Sequence, residues 1–307
     1  MSRFVVFGAA GHIGGPCART LAAEAGAGAV RVCSHRPEGV EALRQAFPGS
    51  EAVRADMTSP DDMARVLDGA DAVFVVTPDF FDDLAGARAL IAAAERLGTR
   101  PHVVRVQAEV PGLAKEALSG MLADPIGRRG HIEAREAIEA AGLPATFLNV
   151  LGYYMDDLTI RFGEGLREHD TLLVPYDRPM CWLDPADLGE AAARVMLGGA
   201  PDAARMLHLN DGADGVRFST LAGMIGEARG RPVAYADDED AFRQAVGPML
   251  AAMTGRADAG EYLLADWRSE RDHAHAYVGT RALAGLLGRA PTTLQAWLQD
   301  NAAALSG

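Results

Sequence analysis

The residues from Phe4 to Gly15 constrain the fold of this chain more than any other stretch. An apolar run that predicts a strand, Phe4 to Phe7, leads into Gly8, Gly11 and Gly14, and a helical pattern follows at once. Glycine lets a backbone turn tightly and approach a ligand closely, and the unpaired N–H groups at a helix start attract an anion. A strand, a glycine turn and a helix in this order predict a phosphate site of the kind that binds a dinucleotide.

Strand and helix patterns continue to alternate through the first half of the chain. Apolar runs predict five further strands, at residues 29–34, 51–56, 70–76, 102–107 and 145–150. Such alternation is typical of a parallel sheet covered by helices on both faces. It predicts an α/β protein with a Rossmann-like doubly wound, NADP-binding domain over residues 1–150. A smaller C-terminal α+β substrate lobe is expected over residues 151–307, with some of its segments returning to the sheet.

Composition limits the partners that the chain can bind. Asp and Glu number 42 against 29 Lys and Arg, a net charge of −13, so we expect no general affinity for nucleic acid or an anionic membrane. Three scattered cysteines, and the pair His273 and His275 without a third ligand, favour neither disulfides nor a metal site. No apolar run reaches the roughly 20 residues of a membrane span. A cytoplasmic monomer or homodimer without metal is expected.

The glycine spacing carries a resemblance. The sequence Gly-Ala-Ala-Gly-His-Ile-Gly over residues 8–14 resembles the turn of extended and atypical members of the short-chain dehydrogenase/reductase superfamily. The resemblance implies a nicotinamide dinucleotide whose pyrophosphate lies against this turn. The residues implied as its contacts are Gly8, Ala10, Gly11, His12, Ile13 and Gly14.

The end of the second predicted strand bears on the choice of dinucleotide. An acidic residue there binds the ribose hydroxyls of NAD, whereas a basic residue pairs with the 2′-phosphate of NADP. This chain has Ser34, His35 and Arg36 at that place, and no acid before Glu38. We therefore expect NADPH rather than NADH, with Arg36 as the main phosphate contact and Ser34 and His35 as secondary contacts. The alternative is a solvated Arg36 at the start of a helix.

Two further strand ends are expected to contact the cofactor. The resemblance implies that Asp56 and Met57, after the third strand, meet the adenine. The fourth strand ends at the carboxyl edge of the sheet, where ligands bind in open α/β folds. We expect the segment Val76, Thr77 and Pro78 to pass the nicotinamide ribose there.

The chain lacks the Tyr and Lys pair of ordinary short-chain reductases. None of its six tyrosines has a lysine at the fourth following position. Instead, residues 130–149, a helix pattern, a glycine stop and a strand pattern, resemble the NmrA-like branch of the atypical short-chain dehydrogenases, which includes quinone reductase-like and isoflavone reductase-like proteins. The closing segment Gly-Arg-Ala-Pro-Thr-Thr-Leu, residues 288–294, is also similar to that family, so the resemblance covers essentially the whole chain.

The resemblance implies several catalytic candidates and leaves the proton donor open. His131 falls where isoflavone reductase-like enzymes have a functional Lys, and it would also lie beside the nicotinamide. Tyr153 and Tyr154 follow the sixth strand, in a loop that covers the nicotinamide in the family. Gln107 stands where ordinary members have a Ser that binds the substrate carbonyl, again next to the cofactor. Water relayed through the cofactor ribose is another donor, and a buried structural role is the alternative for His131.

Two functions are compatible with these features. One is an NADPH-dependent oxidoreductase that passes hydride to a ketone, quinone or conjugated carbonyl of a small, flat aromatic or polyketide-type molecule. The other is a non-catalytic NADP(H)-binding redox sensor and regulator of the NmrA type. Loss of the Tyr and Lys pair is expected of both, so that feature does not separate them.

Overall fold

The computed structural model describes residues 3–306. Its strands in these residues follow the apolar runs of the sequence and add short pairings in the second half. In chain order they are β1 (Phe4–Phe7), β2 (Val30–Ser34), β3 (Glu51–Arg54), β4 (Ala72–Val75), β5 (His102–Gln107), β6 (Ala145–Val150), β7 (Tyr153–Tyr154), β8 (Thr171–Leu173), β9 (Pro179–Met180), β10 (Trp182–Leu183), β11 (Arg205–Leu209), β12 (Val216–Arg217) and β13 (Ala234–Ala236).

Helices connect the strands of the first half and dominate the second half. They are α1 (Gly14–Ala25), α2 (Pro37–Ala46), α3 (Pro60–Leu67), α4 (Asp83–Leu97), α5 (Arg128–Ala140), α6 (Asp157–Ile160), α7 (Gly163–His169), α8 (Pro185–Leu197), α9 (Phe218–Arg229), α10 (Glu239–Ala245), α11 (Gly247–Thr254), α12 (Ala259–Asp272), α13 (Ala282–Leu287), α14 (Leu294–Asp300) and α15 (Ala302–Ser306). Short 3₁₀ turns occupy Ala27–Ala29, Lys115–Ala117, Gly120–Ala123 and Ala274–Ala276.

Seven strands form one parallel sheet in the order β11-β6-β5-β4-β1-β2-β3. Phe4 of β1 pairs with Val30 on one side and with Ala72 of β4 on the other. From β1 the chain adds β2 and β3 on one side of the sheet. It then crosses back and adds β4, β5 and β6 on the other side. A ligand crevice is expected at the carboxyl ends of the strands where this reversal occurs, between β1 and β4.

Helices cover both faces of the sheet because its strands are apolar on both sides. Phe4 and Val6 face a core shared with α1 and α8, whereas Val5 and Phe7 face a core shared with α3 and α4. The contact between α1 and α8 is close, since a Cβ on Gly189 would lie 2.3 Å from the carbonyl oxygen of Ile13. This packing holds the start of α1 in place behind the glycine turn.

A second core lies in the C-terminal half. Trp182, Phe218, Phe242 and Trp267 are among its fully buried side chains. Three two-stranded sheets, β7 with β10, β8 with β13 and β9 with β12, surround it together with α9 to α12. This half also returns β11 to the main sheet, where it pairs with β6.

The predicted α/β fold is confirmed, and several of its elements have the predicted bounds. β1, β5 and β6 begin and end where their apolar runs do, whereas β3 stops at Arg54, two residues before its predicted end. The sequence did not predict α6, α7, α11 or α12. The domain boundary at residue 150 stays a prediction. Within residues 3–306, no helix is long and apolar enough to cross a membrane.

Candidate functional site

The glycine turn joins β1 to α1 at the carboxyl edge of the sheet. Gly8 has φ +72°, and a Cβ on Gly14 would lie 2.3 Å from the carbonyl oxygen of Gly8, so both positions need glycine. The N–H groups of Ala10, His12 and Ile13 have no hydrogen-bond partner among residues 3–306. Helix α1 begins without a side-chain cap and without an acid in its first turn. Its positive end is therefore available to an anion.

The His12 side chain connects this turn to the second half of the chain. Its Nδ1 lies 2.5 Å from Oδ2 of Asp156, and its ring meets Tyr154 edge-on with the centroids 5.3 Å apart. The hydrogen bond with Asp156 raises the pKa of His12. The predicted phosphate site thus lies directly beside the loop that carries Tyr154.

The end of β2 presents basic groups to solvent. The Arg36 side chain is 66% exposed, and its nearest carboxylate, on Glu38, is 3.8 Å away. The Ser34 hydroxyl accepts a hydrogen bond from the Arg36 backbone N–H at 3.3 Å. Arg54, which the sequence did not single out, donates from Nε to the carbonyl oxygen of exposed His35 at 3.3 Å. A weakly paired, exposed guanidinium at this place suits a 2′-phosphate.

The ends of β3 and β4 approach the glycine turn differently. Val76 lies against it, since a Cβ on Gly8 would be 2.6 Å from Cγ1 of Val76. The carboxylate of exposed Asp56 accepts from the backbone and hydroxyl of Thr58, both at 2.8 Å. Met57 is half-buried and packs with Thr77 against α4, while Pro78 is exposed. These residues line one edge of the sheet, as predicted for the cofactor, although their cofactor contacts stay predictions.

A cavity of about 200 Å³ opens beyond the carboxyl ends of β4, β5 and β6. Its far wall is formed by α11 and α12 of the second half. Aromatic side chains provide much of its lining: Phe80, Tyr153, Tyr154, Phe162, Tyr262, Trp267 and Tyr277. Its charged or titratable lining residues, beside the tyrosines, are Asp79, Glu109, Arg128, His131, Asp157, Arg161, Asp266 and Glu270.

His131 lies at the start of α5 and lines the cavity. Its Nδ1 is 3.5 Å from Oδ2 of Asp83, a buried carboxylate that is held by Arg105 at 2.5 Å and by the Thr77 hydroxyl at 2.8 Å. Desolvation lowers the pKa of His131, and the Asp83 charge opposes that shift. The imidazole is therefore neutral at neutral pH.

Gln107 does not reach the cavity. The residue is fully buried, its amide donates to the carbonyl oxygen of His131 at 3.1 Å, and its side-chain oxygen accepts from Arg105. The prediction that Gln107 binds a substrate carbonyl is not supported by this placement, because its hydrogen-bonding groups are occupied inside the protein. It positions the backbone of His131 instead.

The two adjacent tyrosines have different surroundings. The Tyr153 hydroxyl donates to Glu270 at 2.5 Å and accepts from Arg178 at 2.6 Å. The Tyr154 hydroxyl has no hydrogen-bond partner within residues 3–306, and the residue lines the cavity. Burial raises the pKa of both phenols. Of these two residues, Tyr154 alone has a hydroxyl group without a hydrogen-bond partner among residues 3–306.

A buried ion-pair network supports the cavity wall. Arg128 contacts Asp266 at 2.5 Å and Glu270 at 3.5 Å, and Glu270 also contacts Arg178 at 2.6 Å. Burial raises the pKa of Glu270, opposed chiefly by the Arg178 charge. The sequence did not predict this network, because 138 residues separate Arg128 from Asp266. No local pattern joins residues so far apart.

A second ion-pair group lies near Tyr154. Arg161 contacts Asp79 at 3.1 Å and Asp157 at 3.3 Å. Burial raises the pKa of Asp157, and the Arg161 charge opposes this shift. Across residues 3–306, no group of three or more His, Cys, Asp or Glu side chains is arranged to hold a metal ion.

Comparison with known proteins gives both family and structural matches. A model of the NmrA-like family matches residues 1–254. An NAD(P)H azoreductase from Xenophilus azovorans is 26% identical over 188 residues, which are 61% of this chain and 61% of that protein. The chain thus spans less than two thirds of the azoreductase. A (4-alkanoyl-5-oxo-2,5-dihydrofuran-3-yl)methyl phosphate reductase from Streptomyces griseus is 27% identical over 246 residues, 79% of each chain.

Solved structures of similar fold cover nearly the whole chain. An NADPH-dependent quinone oxidoreductase from Escherichia coli, complexed with NADPH, is 20% identical with a TM-score of 0.75, covering 97% of this chain and 99% of that one. NmrA, a negative transcriptional regulator in complex with NADP, is 18% identical with a TM-score of 0.69, covering 97% and 95%. At these identities the similarity establishes the fold.

Proposed function

Because the chain belongs to the NmrA-like family, we propose that it is an NADPH-dependent reductase of a ketone, quinone or conjugated carbonyl in a small, flat molecule. The observation that carries this proposal is the aromatic-lined cavity of about 200 Å³ beside the glycine turn, at the carboxyl ends of β4 to β6. A cavity there can hold a planar substrate against a bound nicotinamide. The relatives named as NAD(P)H azoreductase and NADPH-dependent quinone oxidoreductase support the reaction class.

The residues around the glycine turn fit a phosphorylated dinucleotide. The unpartnered N–H groups of Ala10, His12 and Ile13 and the uncapped start of α1 would hold the pyrophosphate. The exposed Arg36 guanidinium would pair with the 2′-phosphate. NADPH, when bound, supplies the hydride.

Tyr154 is the proton donor in this proposal. Its hydroxyl is uncommitted and its phenol stays protonated, since burial raises its pKa. The Tyr153 hydroxyl donates its proton to a hydrogen bond with Glu270 and accepts one from Arg178, so this proton is not available to the substrate. Neutral His131, which also lines the cavity, binds and orients the substrate. Because neither Tyr154 nor His131 changes charge between about pH 7 and 9, kcat at saturating NADPH should be flat there. The raised pKa of His12, beside the glycine turn, would confine a pH dependence in this range to the binding of NADPH.

A turnover assay with matched variants tests this proposal. The purified protein with NADPH and a panel of quinones and ketones is expected to consume reduced nicotinamide, followed by its absorbance. Tyr154→Phe should lower kcat for a ketone about 10²- to 10⁴-fold, the usual contribution of a general acid. Tyr153→Phe is the matched control and should lower kcat less than about 10-fold, because its hydroxyl has structural partners. Equal losses of kcat in both variants would show that Tyr154 is not the proton donor.

The alternative function is that of a non-catalytic NADP(H)-binding regulator. The fold similarity to NmrA, which is named as a negative transcriptional regulator in complex with NADP, favours it. A regulator would bind NADPH tightly and turn over no member of the panel. Tight binding of NADPH to folded protein without turnover would contradict the reductase and support the regulator.

A further inference from the structure

The charges that line the cavity carry an inference about its substrate, which rests on the proposed function. Five carboxylates line the cavity, on Asp79, Glu109, Asp157, Asp266 and Glu270. Only two guanidinium groups do so, on Arg128 and Arg161. The lining includes no lysine, since the one lysine of the chain, Lys115, pairs with Glu136 outside it.

Neither guanidinium in the lining is free for a ligand. Arg128 lies between Asp266, at 2.5 Å, and Glu270, at 3.5 Å. Arg161 lies between Asp79, at 3.1 Å, and Asp157, at 3.3 Å. Each cation is thus matched by two carboxylates in the cavity wall.

Two more arginines, which do not line the cavity, pair with its carboxylates. The net charge of the whole group is still negative. Arg178, whose side chain is fully buried, pairs with Glu270 at 2.6 Å, and Arg135 pairs with Glu109 at 2.8 Å. Four guanidinium groups therefore face five carboxylates. His131 adds no compensating charge, because it is neutral at neutral pH.

We propose that this cavity admits uncharged or cationic aromatic acceptors and rejects acceptors that carry a carboxylate, sulfonate or phosphate. An anionic group in the cavity would meet carboxylates and no unpaired cation among residues 3–306. Like charges brought together in a desolvated site repel each other strongly. The uncommitted hydroxyls of Tyr154 and Tyr277, which lie in the lining, suit the carbonyl oxygens of an uncharged substrate instead.

Binding of two ligands that have the same shape tests the proposal without turnover. A naphthoquinone carboxamide and the matching carboxylate are titrated into protein saturated with NADP⁺, which supplies no hydride. Quenching of tryptophan fluorescence reports binding, since Trp267 lines the cavity. The carboxamide is expected to bind about 10²-fold more tightly than the carboxylate.

Two variants separate the local effect from net charge. Asp79→Asn removes the most exposed of the lining carboxylates, with 59% of its side chain exposed. It should lower the ratio of the carboxylate to the carboxamide dissociation constant about 5- to 10-fold. Asp61→Asn makes the same change of net charge at an 88% exposed surface carboxylate on α3, and should leave the preference as in the unaltered protein.

The outcomes distinguish this inference from the proposed function. Equal affinities for the two ligands, tighter binding of the carboxylate, or binding of neither would overturn the charge preference. A preference for the carboxamide without NADPH turnover would sustain the charge preference and contradict the reductase.

Discussion

Asp83→Ala is expected to lower the free energy of unfolding by about 3–5 kcal/mol, the usual result of removing one partner from a buried ion pair. Asp83 and Arg105 lie 2.5 Å apart, with side-chain exposures of 2% and 3%. Without Asp83, the guanidinium of Arg105 would stay in the interior with no carboxylate in contact. Urea denaturation at neutral pH measures the change.

Two controls isolate the effect of the buried charge. Glu41→Ala breaks a pair with Arg44 in which both side chains are 60% exposed, and should cost no more than about 1 kcal/mol. The double variant Asp83→Leu with Arg105→Met removes both charges and should recover most of the lost stability. A loss below about 1 kcal/mol in Asp83→Ala would show that the pair does not have the buried geometry described.

Gly14→Ala is expected to weaken NADPH binding about 100-fold and to destabilise the fold by about 1–3 kcal/mol. The new Cβ would lie 2.3 Å from the carbonyl oxygen of Gly8 and 2.9 Å from the backbone nitrogen of Ala9. Both neighbours are backbone atoms, so the turn itself must move. Calorimetric titration measures the affinity, and thermal unfolding without cofactor measures the stability.

Gly223→Ala is the matched control. Gly223 lies within α9, and an added Cβ there would meet no atom within 4 Å. The exchange should stabilise the protein by up to about 1 kcal/mol, since alanine favours a helix over glycine. NADPH affinity should be unchanged. Unchanged affinity in Gly14→Ala as well would separate the glycine turn from cofactor binding.

Local patterns predicted the first half of the fold because most of its strands are buried on both faces. The runs 102–107 and 145–150 are apolar enough to identify β5 and β6 with their observed bounds. The glycine turn was also predictable, since the positive φ of Gly8 and the crowding at Gly14 leave little choice of residue. In each case the physical requirement is contained within a few consecutive residues.

The cavity wall was not predictable in the same way. Helix α12 contributes Asp266 and Glu270, whose partners Arg128 and Arg178 lie far away along the chain. Such pairings are set by tertiary packing, and no periodicity in the sequence records them. The buried pair of Arg105 and Asp83 behind His131 did have a local signal, because a charge within a parallel strand that is buried on both faces requires a buried partner.

The surroundings of Tyr153 and Tyr154 were also not predictable from local sequence. Their position after the sixth strand predicted a place near the ligand, and both residues line the cavity. The structure leaves the Tyr154 hydroxyl without a partner among residues 3–306 and gives the Tyr153 hydroxyl to Glu270. That difference depends on α12, which brings Glu270 to this place although it lies 117 residues further along the chain.

Calorimetric titration of the folded protein with NADPH and then with NADH tests the central claim most directly. The account predicts saturable heat with NADPH and a dissociation constant about 10- to 100-fold lower than for NADH, because Arg36 pairs with the 2′-phosphate. Arg36→Ala should abolish that difference. Absence of binding heat with both nucleotides would contradict the account.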